Sequence, residues 1–237
     1  MVIPPTGSIV ILTGAGVSAE SGLRTFRDAD GLWEDHRVED VATPEAFDRD
    51  PDLVLRFYNQ RRRQLGAVEP NAAHQALARL EREWPGPVLL VTQNVDDLHE
   101  RAGSQNLIHM HGELLKARCL TCQCVFTCSG DIDLKSQCPR CRASYCLRPH
   151  IVWFGEDPLD MEKIYDAVQT CVLFAAIGTS GSVYPAAGLV SFTPKDAHRI
   201  ELSLEPSAGV IKFREARHGK ASERVPTWVE EVLSSSK

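Results

Sequence analysis

Seven of the eight cysteines fall between Cys119 and Cys146. Within that stretch Cys119-x2-Cys122 and Cys138-x2-Cys141 are separated by fifteen residues. At this spacing two short knuckles each give two thiolates to one tetrahedral zinc. Four sulfurs close the shell and leave no open position. The expected metal is therefore one structural Zn2+, and the reaction has to be sought elsewhere. Cys124, Cys128 and Cys146 are near enough in sequence to replace one of the four. Cys171, in CVLFAAIG, reads as a small core residue.

The reactive candidates lie outside the cysteines. Gly14-Ala15-Gly16-Val17-Ser18-Ala19 fits G-x-G-x-x-G/A directly after the apolar run SIVILT. Glycines there let the backbone turn sharply and approach a pyrophosphate, and the following helix N-terminus favours its charge. No acidic ribose partner stands in a strand about 20 residues on, which argues against an ordinary dehydrogenase. Gln93, Asn94 and Asp96 follow VLLVT, and Gly178-Thr179-Ser180 follow CVLFAAI. Open α/β sheets place their ligands at such strand ends. In IHMHGE, His109 and His111 are expected on one face of an extended segment, and an imidazole suits a base working near neutral pH.

These residues need a scaffold to bring them together. Strands are expected over 8–13, 88–92, 171–177 and 199–204. Helices are expected from the Asp50-Pro51 cap to Gly66, from Asn71 to about residue 83, and over 158–169. Strands alternating with helices imply an α/β fold with a doubly wound parallel sheet, interrupted by the cysteine segment. On the first of those helices Val54, Tyr58, Arg61 and Leu65 recur at i, i+4, i+7 and i+11, one face. A charge in an otherwise apolar stripe needs a partner. A phenol and a guanidinium fork at i, i+3 suit a terminal carboxylate. Arg62 stands i+4 from Tyr58 and is an alternative, and Arg61-Arg62-Arg63 also reads as a solvated charge run.

Composition narrows the class. Hydrophobic residues are 43%, charged residues 24% and the net charge is -6. That is a globular composition, with no apolar run near the ~18 residues of a membrane helix. The acidic balance argues against direct nucleic-acid binding. No Lys or Arg precedes Arg24, so the N-terminus is a poor signal peptide. A cytoplasmic monomer is expected.

Taken together, six ordered segments resemble the sirtuin family of NAD-dependent protein lysine deacylases. They are GAGVSAESGLRTFR (14–27), TQNVDDLHERAG (92–103), HGE (111–113) with the two CxxC pairs, RPHIVWFGE (148–156), GTSGSVYPAA (178–187) and LEPS (204–207). The match runs from about Ile9 to Ala221. The resemblance implies a Rossmann-like NAD-binding domain of residues 1–35, 75–112 and 151–237. It also implies a smaller domain made of a helical insertion, 36–74, and a zinc-binding module, 113–150.

The roles that follow are implied by the resemblance. His111 is the catalytic base. NAD, a co-substrate, is held by Gly14, Ala15, Gly16, Ser18, Glu20, Thr25, Phe26, Arg27 and Trp33. Further contacts come from Gln93, Asn94, Asp96, Gly178, Thr179, Ser180, Ser203, Leu204, Glu205 and Ala221. Ser203 departs from the asparagine common before LEPS-type sequence, and its shorter reach implies a weaker or water-mediated ribose contact. Val152 and Phe154 belong to the segment that pairs with the substrate backbone. Tyr58-x-x-Arg61 resembles the signature of the branch that removes succinyl and malonyl groups, with acetyl removal expected beside them. The implied reaction frees the lysine of an acylated protein or peptide and gives nicotinamide and O-acyl-ADP-ribose. The alternatives are protein ADP-ribosyl transfer and a non-catalytic NAD or zinc module.

Overall fold

The computed structural model describes residues 4, 6–23, 32–33 and 36–235. The first strand, β1 (Ile9–Thr13), is followed at once by a short helix, α1 (Ala15–Ala19). A two-stranded ribbon, β2 (Leu32–Trp33) and β3 (His36–Arg37), leads into the helices α2 (Val38–Val41), α3 (Pro44–Arg49), α4 (Pro51–Leu65) and α5 (Ala72–Glu83). Next come β4 (Val88–Thr92), α6 (Leu98–Ala102) and β5 (Leu107–His109). The cysteine segment carries β6 (Gly112–Cys119), β7 (Val125–Thr127) and β8 (Leu147–Ile151). The chain then runs through α7 (Met161–Thr170), β9 (Leu173–Ile177), β10 (His198–Ser203), β11 (Glu215–His218) and α8 (Ala221–Ser234).

Six parallel strands form one sheet in the order β11-β10-β9-β1-β4-β5. Successive strands lie outward on one side of β1 and then on the other, so the direction of winding reverses between β1 and β9. The strands are apolar on both faces because both are covered. Ile9 and Ile11 of β1, with Leu173, Ala175 and Ile177 of β9, join a core closed by α5 and α8. Their alternates Val10, Leu12, Phe174 and Ala176 join another core, closed by α7 and the turn around Leu189. The period of two along each strand divides the residues between the two cores.

The second unit is a three-stranded antiparallel sheet, β7-β6-β8. Leu55 of α4 packs into the core around its cysteines. Val54, Phe57, Tyr58 and Leu65 of α4 join Leu114, Ile151 and Trp153 in a further core. Helix α4 therefore spans the cysteine module and the groove beside the large sheet.

Local chemistry sets the helix limits. The Asp50 carboxylate accepts the Leu53 N–H at 2.9 Å and caps α4 ahead of Pro51. Asn71 caps α5 by accepting the Ala73 N–H at 2.9 Å. Helix α7 begins later than the sequence pattern suggests. Asp160 sits in the left-handed region at φ 53°, and the Leu159 N–H donates to the Met110 carbonyl at 2.9 Å. Residues 158–160 are thus a turn tied to the segment after β5. The extended run expected through His109 and His111 is also broken. Strand β5 stops at His109, Met110 and His111 form a turn, and Gly112 opens β6 at φ 83°. Among the described residues no helix is long and apolar enough to cross a membrane.

Candidate active site

The winding reversal places a cavity of about 730 Å³ at the C-terminal ends of β1, β4, β9 and β10. Two turns meet at its floor. The Gly16 N–H donates to the Gly178 carbonyl at 2.9 Å, and the Gly14 N–H to the Ile177 carbonyl at 3.0 Å. A Cβ on Gly16 would lie 2.8 Å from the Gly178 Cα, and one on Gly178 would lie 2.5 Å from the Val17 nitrogen. Gly178 also needs its φ of 62°. These glycines therefore serve the contact between turns as well as room for a ligand.

The residues named from sequence converge here. Gly14, Ala15, Gly16, Ser18, Glu20, Gln93, Asn94, Asp96 and His111 line the cavity. So do Gly178, Thr179, Ser180, Ser203, Leu204, Glu205 and Ala221, with Tyr58, Arg61, Val152 and Phe154 at the α4 side. Thr25, Phe26 and Arg27 lie outside the described residues, as does the Trp33 side chain. Leu23, Gln64, Trp153, Glu156, Tyr184 and Lys220 also line the wall and were not singled out from sequence. Trp153 and Glu156 lay within a matched segment, and Gln64 stands i+3 from Arg61.

His111 Nδ1 is 3.2 Å from the Gln93 carbonyl oxygen. A carbonyl only accepts, so Nδ1 carries the hydrogen and Nε2 keeps a lone pair. Burial pulls the His111 pKa below the usual histidine value, and the Gln93 carbonyl opposes this only in part. The neutral, basic ring is thus the form held in the cavity. His109 differs. Its nitrogens lie 3.0 Å from the Asn94 carbonyl and 2.7 Å from a Glu100 carboxylate oxygen. Burial acts against charge there, but Glu100 outweighs it and raises the pKa.

Below the cavity a directed polar network fixes the β1 and β4 turns. Ser18 Oγ donates to Asp96 Oδ2 at 3.0 Å and accepts from Asn94 Nδ2 at 3.0 Å. His74 Nδ1 accepts the Asn71 N–H at 3.3 Å, so its Nε2–H points to Ser18 Oγ at 3.4 Å. His99 Nε2 lies 3.0 Å from Thr13 Oγ1, which itself donates to Thr92 Oγ1 at 2.8 Å. Burial raises the Asp96 pKa. Burial pushes His74 down to about 4, and burial with the nearby His74 and His109 holds His99 well below the usual range. The Ser18–His74 and Thr13–His99 contacts join residues far apart in sequence, which is why His74 and His99 escaped notice there. Ser203 is turned inward: its Oγ is 2.6 Å from the Glu205 carbonyl and 3.1 Å from Glu201 Oε1.

At the α4 side all four stripe residues are buried, Arg61 at 6% exposure. The Arg61 guanidinium lies 4.1 Å over the Phe57 ring. Arg62 points elsewhere: it donates to the Leu114 carbonyl at 3.0 Å, Asn59 Oδ1 at 2.7 Å and the Gly130 carbonyl at 3.2 Å. Of the arginine run only Arg63 is a solvated charge, pairing with Asp131. Tyr58 is held through Trp153, whose Nε1 donates to its oxygen at 2.9 Å. Trp153 in turn lies 3.3 Å under the Arg148 guanidinium, which grips Glu156 at 2.6 and 2.9 Å. The N–H groups of Val152, Trp153 and Phe154 donate to the His111 carbonyl, Glu156 and the Ala42 carbonyl. The N–H groups of this segment are therefore spent within the fold.

The metal candidates stand apart from the cavity. The sulfurs of Cys119, Cys122, Cys138 and Cys141 all lie within 4.8 Å of one another. The Cys119–Cys141 and Cys122–Cys138 pairs are 3.7 Å apart. A tetrahedral ion with bonds of about 2.3 Å sets its sulfurs about 3.8 Å apart, so the set fits zinc. N–H groups of Cys122 and Cys141 approach the Cys119 and Cys138 sulfurs at 3.5 Å, as each knuckle requires. Cys128 is elsewhere, 3.6 Å from the Gly130 carbonyl, and Cys171 is buried in the core of the large sheet.

Comparison with known proteins agrees with this arrangement. The family model described as "Sir2 family" matches residues 14–185. An NAD-dependent protein deacylase of Vibrio vulnificus (strain YJ016) is 59% identical over 233 residues, 97% of this chain and 95% of its own. One of Escherichia coli (strain K12) is 57% identical over 232 residues, 97% of this chain and 83% of its own. A solved Sir2 homologue in complex with NAD superposes with a TM-score of 0.88 at 39% identity, covering 97% of this chain and 91% of that one.

The buried imidazoles make a pH prediction. His74 titrates near 6.5 when unfolded and near 4 in the fold, so the unfolded chain binds the extra proton between these values. The stabilisation is complete above about pH 6.5 and is lost as pH falls toward 4. Urea denaturation should show a loss through His74 of about 2 kcal/mol between pH 6.5 and pH 5. His74→Gln should flatten the slope; an unchanged slope contradicts the assignment.

Proposed function

The chain belongs to the Sir2 family, and from that premise we propose that it is an NAD-dependent protein lysine deacylase that prefers succinyl and malonyl groups. The observation that carries the reading is the single cavity that brings both glycine turns, His111 and the Tyr58–Arg61 face together. The same reading divides the chain into the nucleotide-binding part, 1–35, 75–112 and 151–237, and a smaller part of 36–74 and 113–150.

In this reading NAD lies across the turns at Gly14–Gly16 and Gly178–Ser180, and its nicotinamide ribose supplies the carbon that accepts the acyl oxygen as nicotinamide leaves. The short side chains of the two turns, with those N–H groups that the Gly14, Gly16 and Gly178 backbone bonds do not use, bind phosphate and ribose oxygens. Asn94 and Asp96, held by Ser18, present fixed amide and carboxylate groups at the end of β4. His111 takes a proton at Nε2 from a ribose hydroxyl, its ring aimed by the Gln93 carbonyl. Val152 and Phe154 line the entrance beside the lysine. The apolar wall of Leu65, Leu114, Ile151 and Trp153 excludes water from the acyl chain. Tyr58 and Arg61 stand along that wall, where a phenol and a planar guanidinium suit a terminal carboxylate. Cys119, Cys122, Cys138 and Cys141 would hold a structural zinc, tying together the two knuckles of the small sheet that packs β6 and β8 against α4.

Two outcomes test this reading. Arg61→Met should lower kcat/KM on a succinyl-lysine peptide by roughly 100-fold and change an acetyl-lysine peptide far less. Equal losses on both peptides remove the acyl assignment. With the His111 pKa lowered by burial, the acid limb of the kcat/KM profile should fall below about pH 6.5. A limb above that value excludes His111 as the neutral base.

A further inference from the structure

A tetrahedral thiolate site is complete with four sulfurs, yet two further thiols stand inside this cluster. Cys124 Sγ lies 3.4 Å from Cys122 Sγ and 3.5 Å from Cys138 Sγ. Cys146 Sγ lies 3.5 Å from Cys119 Sγ. The spare thiols thus sit beside three of the four members of the zinc set. Cys124 and Cys146 are on different sides of the sequence, one after the first knuckle and one after the second. A Cys-x-x-Cys pair does not bring either with it, so each extra sulfur needs its own explanation. Packing as small apolar residues accounts for burial but not for sulfur-to-sulfur contact with thiolates that a metal keeps deprotonated.

We propose that Cys124 and Cys146 are resolving thiols of a peroxide-oxidation site that releases the zinc. A thiolate of the zinc set attacks one oxygen of a hydroperoxide. The O–O bond breaks, and the sulfur becomes a sulfenic acid. The neighbouring spare thiol then attacks that sulfur, the S–S bond forms, and the hydroxyl departs as water. For each disulfide two thiols give up two electrons and two hydrogens, and one hydrogen peroxide becomes two waters.

Exposure orders the steps. Cys141 is exposed but lies against Cys119, a fellow member of the zinc set, and not against a spare thiol. Cys122 and Cys124 are half-buried, and Cys119, Cys138 and Cys146 are buried, so Cys122 is the most accessible ligand with a spare thiol beside it. Oxidation begins on the Cys122–Cys124 edge, and the disulfide of Cys124 settles on Cys122 or, by exchange, on Cys138. Either choice removes a zinc ligand. The weakened site then opens the Cys119–Cys146 pair, and the ion is lost. Without the spare thiols the zinc set can oxidise only by pairing its own ligands, and every such sulfur is held by the metal.

The test is read on zinc and on mass, not on activity. The full chain loaded with one zinc is treated with hydrogen peroxide, and released zinc is followed with a chromogenic chelator. Disulfides are mapped by peptide mass after blocking free thiols. The expected result is one zinc released per chain, with disulfides that contain Cys124 and Cys146. A Cys124→Ser/Cys146→Ser chain should bind zinc fully, melt as wild type does, and release zinc roughly tenfold more slowly. Cys128→Ser should release it at the wild-type rate. Release from the double variant at the wild-type rate overturns the proposal, as do disulfides confined to the four-cysteine set or equal protection by Cys128→Ser. A double variant that purifies without zinc overturns it too, since the spare thiols would then be ligands.

Discussion

The contact between two turns without side chains governs the rest of this structure. Gly14 and Gly16 close β1, Gly178 closes β9, and the paired strands end in register at Thr13 and Ile177. A single methyl group at Gly16 or Gly178 would fall within 3 Å of backbone on the opposing turn. The approach fixes where the N–H groups of both turns point. It also sets the floor against which every other lining residue is placed. Because the winding reverses between β1 and β9, the crevice opens at the C-terminal ends of these strands.

Above that floor the protein keeps its polar groups neutral or paired in a nearly dry setting. Ser18 is surrounded by one acceptor and two donors, so each hydrogen in the network has one assignable direction. His74, His99 and His111 are all shifted toward the neutral form by burial, while His109 next to Glu100 goes the other way. Two histidines two residues apart are thus shifted in opposite directions, and the one facing the cavity is the one biased toward its neutral form. The α4 side uses the same economy. Arg148, Glu156 and Trp153 form a stacked and hydrogen-bonded chain that ends on the Tyr58 oxygen. That chain orients the phenol from outside the helix that bears it.

Features written in short spans of sequence were legible. The caps at Asp50-Pro51 and Asn71 fixed the starts of α4 and α5, because a side chain three residues or fewer away satisfies the first N–H groups. The apolar runs before Gly14 and Gly178 marked the buried strands. The double CxxC spacing gave a sulfur set with the dimensions of a zinc site. Features that depend on distant partners were not legible. The turn at residues 158–160 is held by Met110, some fifty residues earlier in the chain. Arg62 reads like its neighbours, yet it is spent on the Leu114 and Gly130 carbonyls of the zinc module. The inward turn of the Ser203 hydroxyl depends on Glu201, which no motif singled out.

The central claim is that a dinucleotide and an acylated lysine meet in the one cavity beside His111. The most direct test is to incubate the zinc-loaded chain with NAD and a succinyl-lysine peptide and to identify all products by mass spectrometry. The account predicts unmodified lysine, nicotinamide and succinyl-ADP-ribose in equal amounts, with no product when NAD is omitted. A peptide that gains ADP-ribose, or that loses its succinyl group without NAD, would contradict it.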